Sequence, residues 1–174
     1  GLLNFLEISP QEKVLTLITL GKEDEEQKVN YLVMVTKEGV IKRTSLSDFA
    51  NVRRSGIVAI TLKKGDLLQK VSKSNGSDEI ILVTKNGQAV RFKEKGVREM
   101  GRQAAGVKGI RLKKGDKVVG MNIIQNPKSE ERNPKQTKNY LLVVTENGYG
   151  KRTDLNEYRL QGRGGSGIKA VKIT

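Results

Sequence analysis

The sequence predicts an all-β chain built from propeller-like repeats of four-stranded blades, a partial array of about three to four. Three observations carry that expectation. Three segments repeat in register, beginning YLVMVTKEGVIKRTSLSDF at Tyr31, EIILVTKNGQAVRFKEKGV at Glu79 and YLLVVTENGYGKRTDLNEY at Tyr140. Within each, short apolar runs rich in β-branched residues stand where a helix would need a sustained 3.6-residue period. A Thr-x-x-Gly motif closes on Gly39, Gly87 and Gly148, 48 and 61 residues apart, and four strands per unit of that size is the arithmetic of a propeller blade.

Each unit begins with a strand covered on both faces: Leu32–Val35, Ile80–Val83 and Leu141–Val144. Asn86-Gly87 and Asn147-Gly148 signal a tight hairpin into the second strand, because both residue types tolerate positive φ, and Glu38-Gly39 is a weaker version of the same turn. GIVAITL from Gly56, GVKGIRL from Gly106 and GIKAVKI from Gly167 supply a third strand. Lys-Lys-Gly-Asp at Lys63–Asp66 and Lys113–Asp116 then turns the chain into a fourth, over Leu67–Val71 and Lys117–Ile123. GLLNFL and EKVLTLITL near the amino terminus read as the last two strands of a preceding unit, so units are either cut or share strands across repeat boundaries. The expected organisation is the end of one blade over 1–28, repeats over 29–76 and 77–125, a polar insertion over 126–139, and an incomplete repeat over 140–174.

Composition narrows the function. There is no cysteine and no histidine, which removes thiolate nucleophiles, the usual general base and the common zinc sites. The tyrosines have no arranged partner to activate them, so an enzyme is the weakest reading, and no cofactor is expected. No apolar run approaches the roughly 18 residues of a membrane helix, and the expectation is a cytoplasmic protein without a membrane partner. The chain carries 33 basic and 19 acidic residues, a net charge of +14. Residues 1–30 are net negative, so the excess lies in the repeats, a distribution that points to a polyanion.

The blocks MGRQAAGVKGIRLKKGDKVVGM at Met100–Met121, VTKNGQAVRFKEKGVREMG before it and TENGYGKRTDLNEY at Thr145–Tyr158 resemble the C-terminal domains of the gyrase A proteins and, more distantly, those of the topoisomerase IV A proteins. The resemblance implies a β-pinwheel, a disc whose blades exchange strands, with duplex DNA wrapped on its basic rim in support of negative supercoiling by the ATP-dependent whole enzyme, DNA gyrase. It implies two partners, the rest of gyrase A and gyrase B, and a bacterial, nucleoid-associated setting. The nucleophilic tyrosine of that enzyme class belongs to another domain. Gyrase-type members carry a box of the form Gln-basic-basic-Gly-Gly-basic-Gly. Gln161, Arg163, Gly164, Gly165 and Gly167 match it, whereas Gly162 and Ser166 depart from it; the resemblance puts the principal box in the first blade and this match falls in a late one, so any principal box is expected upstream.

Independently of the resemblance, Lys42-Arg43, Arg91 and Lys151-Arg152 occupy equivalent places and are expected to line a curved stripe facing DNA, with Lys93 at the end of the same strand. Arg53, Arg54, Arg98, Arg102, Arg159 and Arg163 fall in the connections between second and third strands, and Lys108, Arg111 and Lys169 in the third. Gly164 and Gly165 are expected to let backbone N–H groups approach a phosphate, with Gln161 donating beside them. The Lys63, Lys64, Lys113 and Lys114 turns are read as solubilising. Few aromatics and no recognition helix exclude base reading, so binding is expected to be duplex-directed and sequence-neutral. A basic rim meeting an acidic protein, or a topoisomerase IV-type domain that binds DNA without strong wrapping, are the alternatives.

Overall fold

The computed structural model describes residues 13–21, 29–51, 56–125 and 139–171. Ten strands form: β1 (Tyr31–Thr36), β2 (Val40–Ser45), β3 (Leu68–Ser74), β4 (Glu79–Thr84), β5 (Gln88–Lys93), β6 (Val107–Lys108), β7 (Val118–Ile124), β8 (Tyr140–Val144), β9 (Gly150–Asp154) and β10 (Ile168–Lys169). Hairpins β1–β2, β4–β5 and β8–β9 are the repeat starts expected from the sequence.

Each hairpin turns on its Thr-x-x-Gly motif. The Gly39 N–H donates to the Thr36 carbonyl at 3.1 Å, and the Thr36 hydroxyl oxygen accepts from the Val40 N–H at 3.1 Å. Thr84 and Thr145 repeat both contacts with Gly87 and Gln88, and with Gly148 and Tyr149. The glycines are left-handed, at φ 79, 74 and 83°, and in the first two hairpins each is the last residue of a three-residue loop. Threonine is therefore the turn's own cap.

Strand order shows how the blades are completed. The first sheet runs β3-β1-β2-β6 and the second β10-β5-β4-β7. The inner strand comes from the same repeat, but the outer strand β6 belongs to the second repeat and β10 to the third. Gly106 and Gly167 make this exchange possible: a Cβ on Gly106 would lie 2.6 Å from the Ile41 carbonyl oxygen and one on Gly167 2.5 Å from that of Ala89, both at positive φ. The third strands are thus two residues long rather than seven. The corresponding segment of the first repeat, GIVAITL over 56–62, forms no strand. The 13–21 segment is likewise not a strand, although the Lys73 ammonium donates to the Thr19 carbonyl at 2.8 Å. The GLLNFL segment and residues 126–138 of the insertion lie outside the described residues.

Alternation along the strands divides the core. Val33, Val35 and Ile41 of blade one meet Ile80, Leu82, Val90, Phe92 and Met121 of blade two, while Ile81 and Ala89 turn the other way onto Leu141, Leu155 and Tyr158. Hairpin β8–β9 has neither an inner nor an outer strand among the described residues, so Leu142 and Val144 stay 63% and 59% exposed.

The Lys-Lys-Gly-Asp turns serve the hairpins. Buried Asp66 accepts from the N–H groups of Glu38 (3.0 Å) and Leu67 (2.8 Å), and buried Asp116 from those of Asn86 (3.0 Å) and Lys117 (2.9 Å). Removing either carboxylate leaves two amide donors without their acceptor. Asp116→Ala is expected to lower the unfolding free energy in urea by about 1–3 kcal/mol with an unchanged m-value.

Candidate nucleic-acid interface

Strands β3 and β7 lie against one another, while β6 and β10 form the opposite, outer edges of their sheets. Before entering these edges the chain crosses the neighbouring blade as a strap. The Met100 N–H donates to the Arg43 carbonyl (2.9 Å), and the Gln161 N–H donates to the Arg91 carbonyl (2.8 Å). Each strap therefore carries its arginines along the outside of the preceding blade.

Lys42, Arg43 and Arg91, expected in the DNA stripe, are engaged within the protein instead. Lys42 is fully buried in the column that holds Val90 in the second repeat, and its ammonium donates to the carbonyls of Ala59 (2.6 Å), Arg102 and Ala104 (3.2 Å). Burial lowers its pKa from 10.5 to about 8. It cannot reach a phosphate, and its assignment to the interface is corrected: it ties two arginine-bearing connections to blade one.

Arg43 and Arg91 are joints between blades. Arg43 lies 4.5 Å from the Tyr31 ring centroid, donates to the Gly76 carbonyl (3.3 Å), and sits 3.7 Å from the carboxylate of fully buried Glu94 in the next repeat. Arg91 pairs with Glu79 at 2.6 Å and donates to the carbonyls of Leu155 (2.9 Å) and Tyr158 (3.2 Å). Leu155 occupies the place of Glu94, so both arginines reach the same position one repeat ahead. Their side chains are only 12% and 16% exposed. Arg152, with no further repeat among the described residues to meet, lies exposed over the Tyr140 ring at 4.5 Å. Glu94 is the partner that sequence reasoning missed. Its one visible signal is an acid in a column that otherwise reads Leu46 and Leu155.

The remaining sites fall on the outer surface. Lys93, Arg98, Lys108, Arg111, Lys151, Arg159, Arg163 and Lys169 are exposed, and Arg102 is partly buried. Arg53 and Arg54 lie outside the described residues. Arg163 crosses between blades, donating through Nε to the Gly96 carbonyl (2.7 Å) and through Nη1 to that of Lys108 (3.1 Å), which leaves three of its five donors. The Arg111 N–H donates to the Gly165 carbonyl at 2.8 Å. Lys108, Arg111 and Arg163 are thus one contiguous patch, and none of the three has a carboxylate partner among the described residues.

In the glycine run one of the two expected N–H groups is already engaged. The Gly164 N–H donates to the Gly109 carbonyl at 2.7 Å, so it is not free for an anion. A Cβ on Gly165 would sit 3.3 Å from Gln161 Oε1, and the Gln161 amide nitrogen is buried without a partner. Gly164 is therefore engaged within the protein, while Gly165 and Gln161 pack against one another beside Arg163. Among the described residues, no group of acidic side chains could hold a metal ion, and no helix is long and apolar enough to cross a membrane.

A chain of strand-exchanging, propeller-like blades with a basic outer edge defines a class, and comparison with known proteins places it. The model of the DNA gyrase C-terminal domain, beta-propeller, matches residues 30–75, 78–125 and 139–174. The gyrase A protein of Staphylococcus epidermidis (strain ATCC 12228 / FDA PCI 1200) is 42% identical over 173 residues, covering 99% of this chain and 18% of that protein. That of Staphylococcus aureus (strain NCTC 8325 / PS 47) is 42% identical over 171 residues, covering 98% and 18%. The C-terminal domain of DNA topoisomerase IV superposes with a TM-score of 0.80 at 31% identity, over 95% of this chain and 48% of that one. The DNA gyrase A C-terminal domain superposes with a TM-score of 0.73 at 27% identity, over 97% and 51%. The chain belongs to the DNA gyrase A C-terminal domain family, a β-pinwheel fold, and spans about a fifth of the length of the gyrase A proteins it matches.

The joints give two predictions. Arg91→Ala strands the Glu79 carboxylate and two carbonyls at the blade interface, and is expected to cost about 2–4 kcal/mol in denaturant unfolding. Burial raises the Glu94 pKa above 4.5, against the opposing pull of the Ser74 hydroxyl, the Asp78 N–H and Arg43. The folded state then holds the proton more tightly than the unfolded chain. The contribution of Glu94 to stability is full below its ordinary value and declines as pH rises through the raised one. Relative to Glu94→Gln, the parent should lose unfolding free energy between pH 4.5 and neutrality, as read by denaturation across pH.

Proposed function

We propose that this chain binds duplex DNA through its outer edge, as part of a gyrase A protein whose whole enzyme is a topoisomerase. One observation carries the reading: exposed Lys108 and Arg111, on and after outer strand β6, are joined across the blade boundary by Arg163 of the next strap, and none of the three has a carboxylate partner among the described residues. Such a surface suits a phosphate backbone, where each contact releases condensed counterions. Chemistry resides elsewhere in the enzyme; this domain, reading 1–174 as part of one pinwheel, acts by holding and bending DNA for negative supercoiling. Bending opposes a persistence length of about 150 base pairs, so several modest contacts must act together. The rest of gyrase A and gyrase B are its partners, in the bacterial cytoplasm.

A second reading is binding without strong wrapping, as in a topoisomerase IV-type domain. The higher TM-score with a topoisomerase IV C-terminal domain favours it, and so do the uncharged Gly162 and Ser166 where the gyrase-type box is basic.

A duplex of about 40 base pairs, titrated across a salt series with its end-to-end distance read by fluorescence transfer, tests both. Six to eight phosphate contacts give a slope of log K against log salt of about −5 to −7. Shortened ends support wrapping, unshortened ends with binding support the second reading, and absence of binding removes the proposal. Lys108→Gln with Arg111→Gln should reduce the slope by about two, whereas Arg43→Ala should leave it unchanged.

A further inference from the structure

The two ends of the blades differ in charge. At the hairpin-turn end lie loops 37–39 and 85–87 and the two Lys-Lys-Gly-Asp turns, held together by the Lys37 N–H on the Leu67 carbonyl (2.8 Å), the Lys85 N–H on the Lys117 carbonyl (2.8 Å) and the Val118 N–H on the Lys37 carbonyl (2.9 Å). In sequence each Lys-Lys-Gly-Asp turn looks half-compensated. In the structure Asp66 and Asp116 are 7% and 4% exposed and turned onto backbone N–H groups, while Lys63, Lys64, Lys113 and Lys114 stand in solvent. Glu38 is the one exposed carboxylate on these four loops, and Glu146, in the turn of the third hairpin, is exposed at the same end. The opposite end carries Asp48, Glu79, Glu99, Asp154 and Glu157 at least partly exposed among its cations.

The basic end is continuous with the outer edge. From Lys108 in β6 the chain runs through Arg111 to Lys113 and Lys114, at most about 20 Å of extended backbone. The Gly109 N–H donates to the Gly39 carbonyl at 2.8 Å, which seats the start of that run on the first hairpin loop. We infer that bound duplex lies off the equator of the disc, over the edge where the rim meets the hairpin-turn face, so that Lys63, Lys64, Lys113 and Lys114 contact phosphates. This rests on the DNA-binding reading and adds a face to it. Because Asp66 and Asp116 are spent on backbone N–H groups, the four lysines beside them are left without a carboxylate from their own turns.

The test substitutes all four by glutamine, keeping Gly65, Asp66, Gly115 and Asp116, with a thermal melt to establish that folding is retained. The 40-base-pair duplex and, separately, poly-glutamate are titrated against the parent, this variant, and a variant with Lys108→Gln and Arg111→Gln. The inference expects a fall of tenfold or more in affinity and a salt slope reduced by about two to four for the quadruple variant. An unchanged affinity and slope in that variant, with weakened binding in the Lys108 and Arg111 variant, overturns the inference and leaves DNA binding by the rim intact. Failure of the parent to bind removes both. Loss of poly-glutamate binding without loss of duplex binding overturns the assignment to DNA and makes the turn face a surface for acidic protein.

Discussion

Everything in this fold depends on one constraint: a blade is not finished by its own repeat. The β1–β2 hairpin takes its inner strand, β3, from its own repeat, but its outer strand is lent by the next, through the pairing of Val40 with Lys108 and Ile41 with Val107. The same holds for β5, which receives Ile168 and Lys169. Because the lending segment must first cross the receiving blade, its cations are delivered to the outside of that blade. Exchange and surface charge are two results of one chain path.

The arginines at equivalent positions belong to that mechanics. A guanidinium at Arg43 or Arg91 reaches into the next repeat and meets an acceptor at the same structural place, a carboxylate in one case and a carbonyl in the other. Planar, permanently charged and rich in donors, arginine can satisfy either. Lys42 works by the same logic with a rounder charge, drawing three carbonyls of two different connections onto one ammonium. Regular spacing of cations along a repetitive sequence is thus ambiguous: here Lys42, Arg43 and Arg91 bind the protein to itself, while the equally regular Lys108 and Lys169 face outward.

That ambiguity marks what the sequence made legible. Apolar runs and Thr-x-x-Gly motifs located the hairpins to within a residue or two, since period and turn chemistry are local. The inner strands β3 and β7 were visible through Lys-Lys-Gly-Asp, and the structure moves each by one residue at its start. The third strands were misjudged in length because seven residues that alternate like a strand pair for only two before following the neighbouring blade. Lys42 could not be told from Lys151 by its neighbours in sequence: one occupies a closed interface and the other an open one, which depends on the presence of a covering element. By sequence Gly164 reads as an anion-binding glycine, and only the Gly109 carbonyl, 55 residues away in the chain, shows that its N–H is engaged.

Borrowed outer strands also set an order in time. As the polypeptide is synthesised, Ser45 closes β2 well before Val107, 62 residues later, can cap it. At about 5–20 residues per second that gap is roughly 3–12 seconds, during which the first hairpin leaves the ribosome with an open edge. The valines, isoleucines and leucines of β1, β2 and β4 are then held in a half-built sheet. The chain is most vulnerable to mispairing with a copy of itself on a neighbouring ribosome during that interval, and the vulnerability passes from blade to blade toward the carboxyl end.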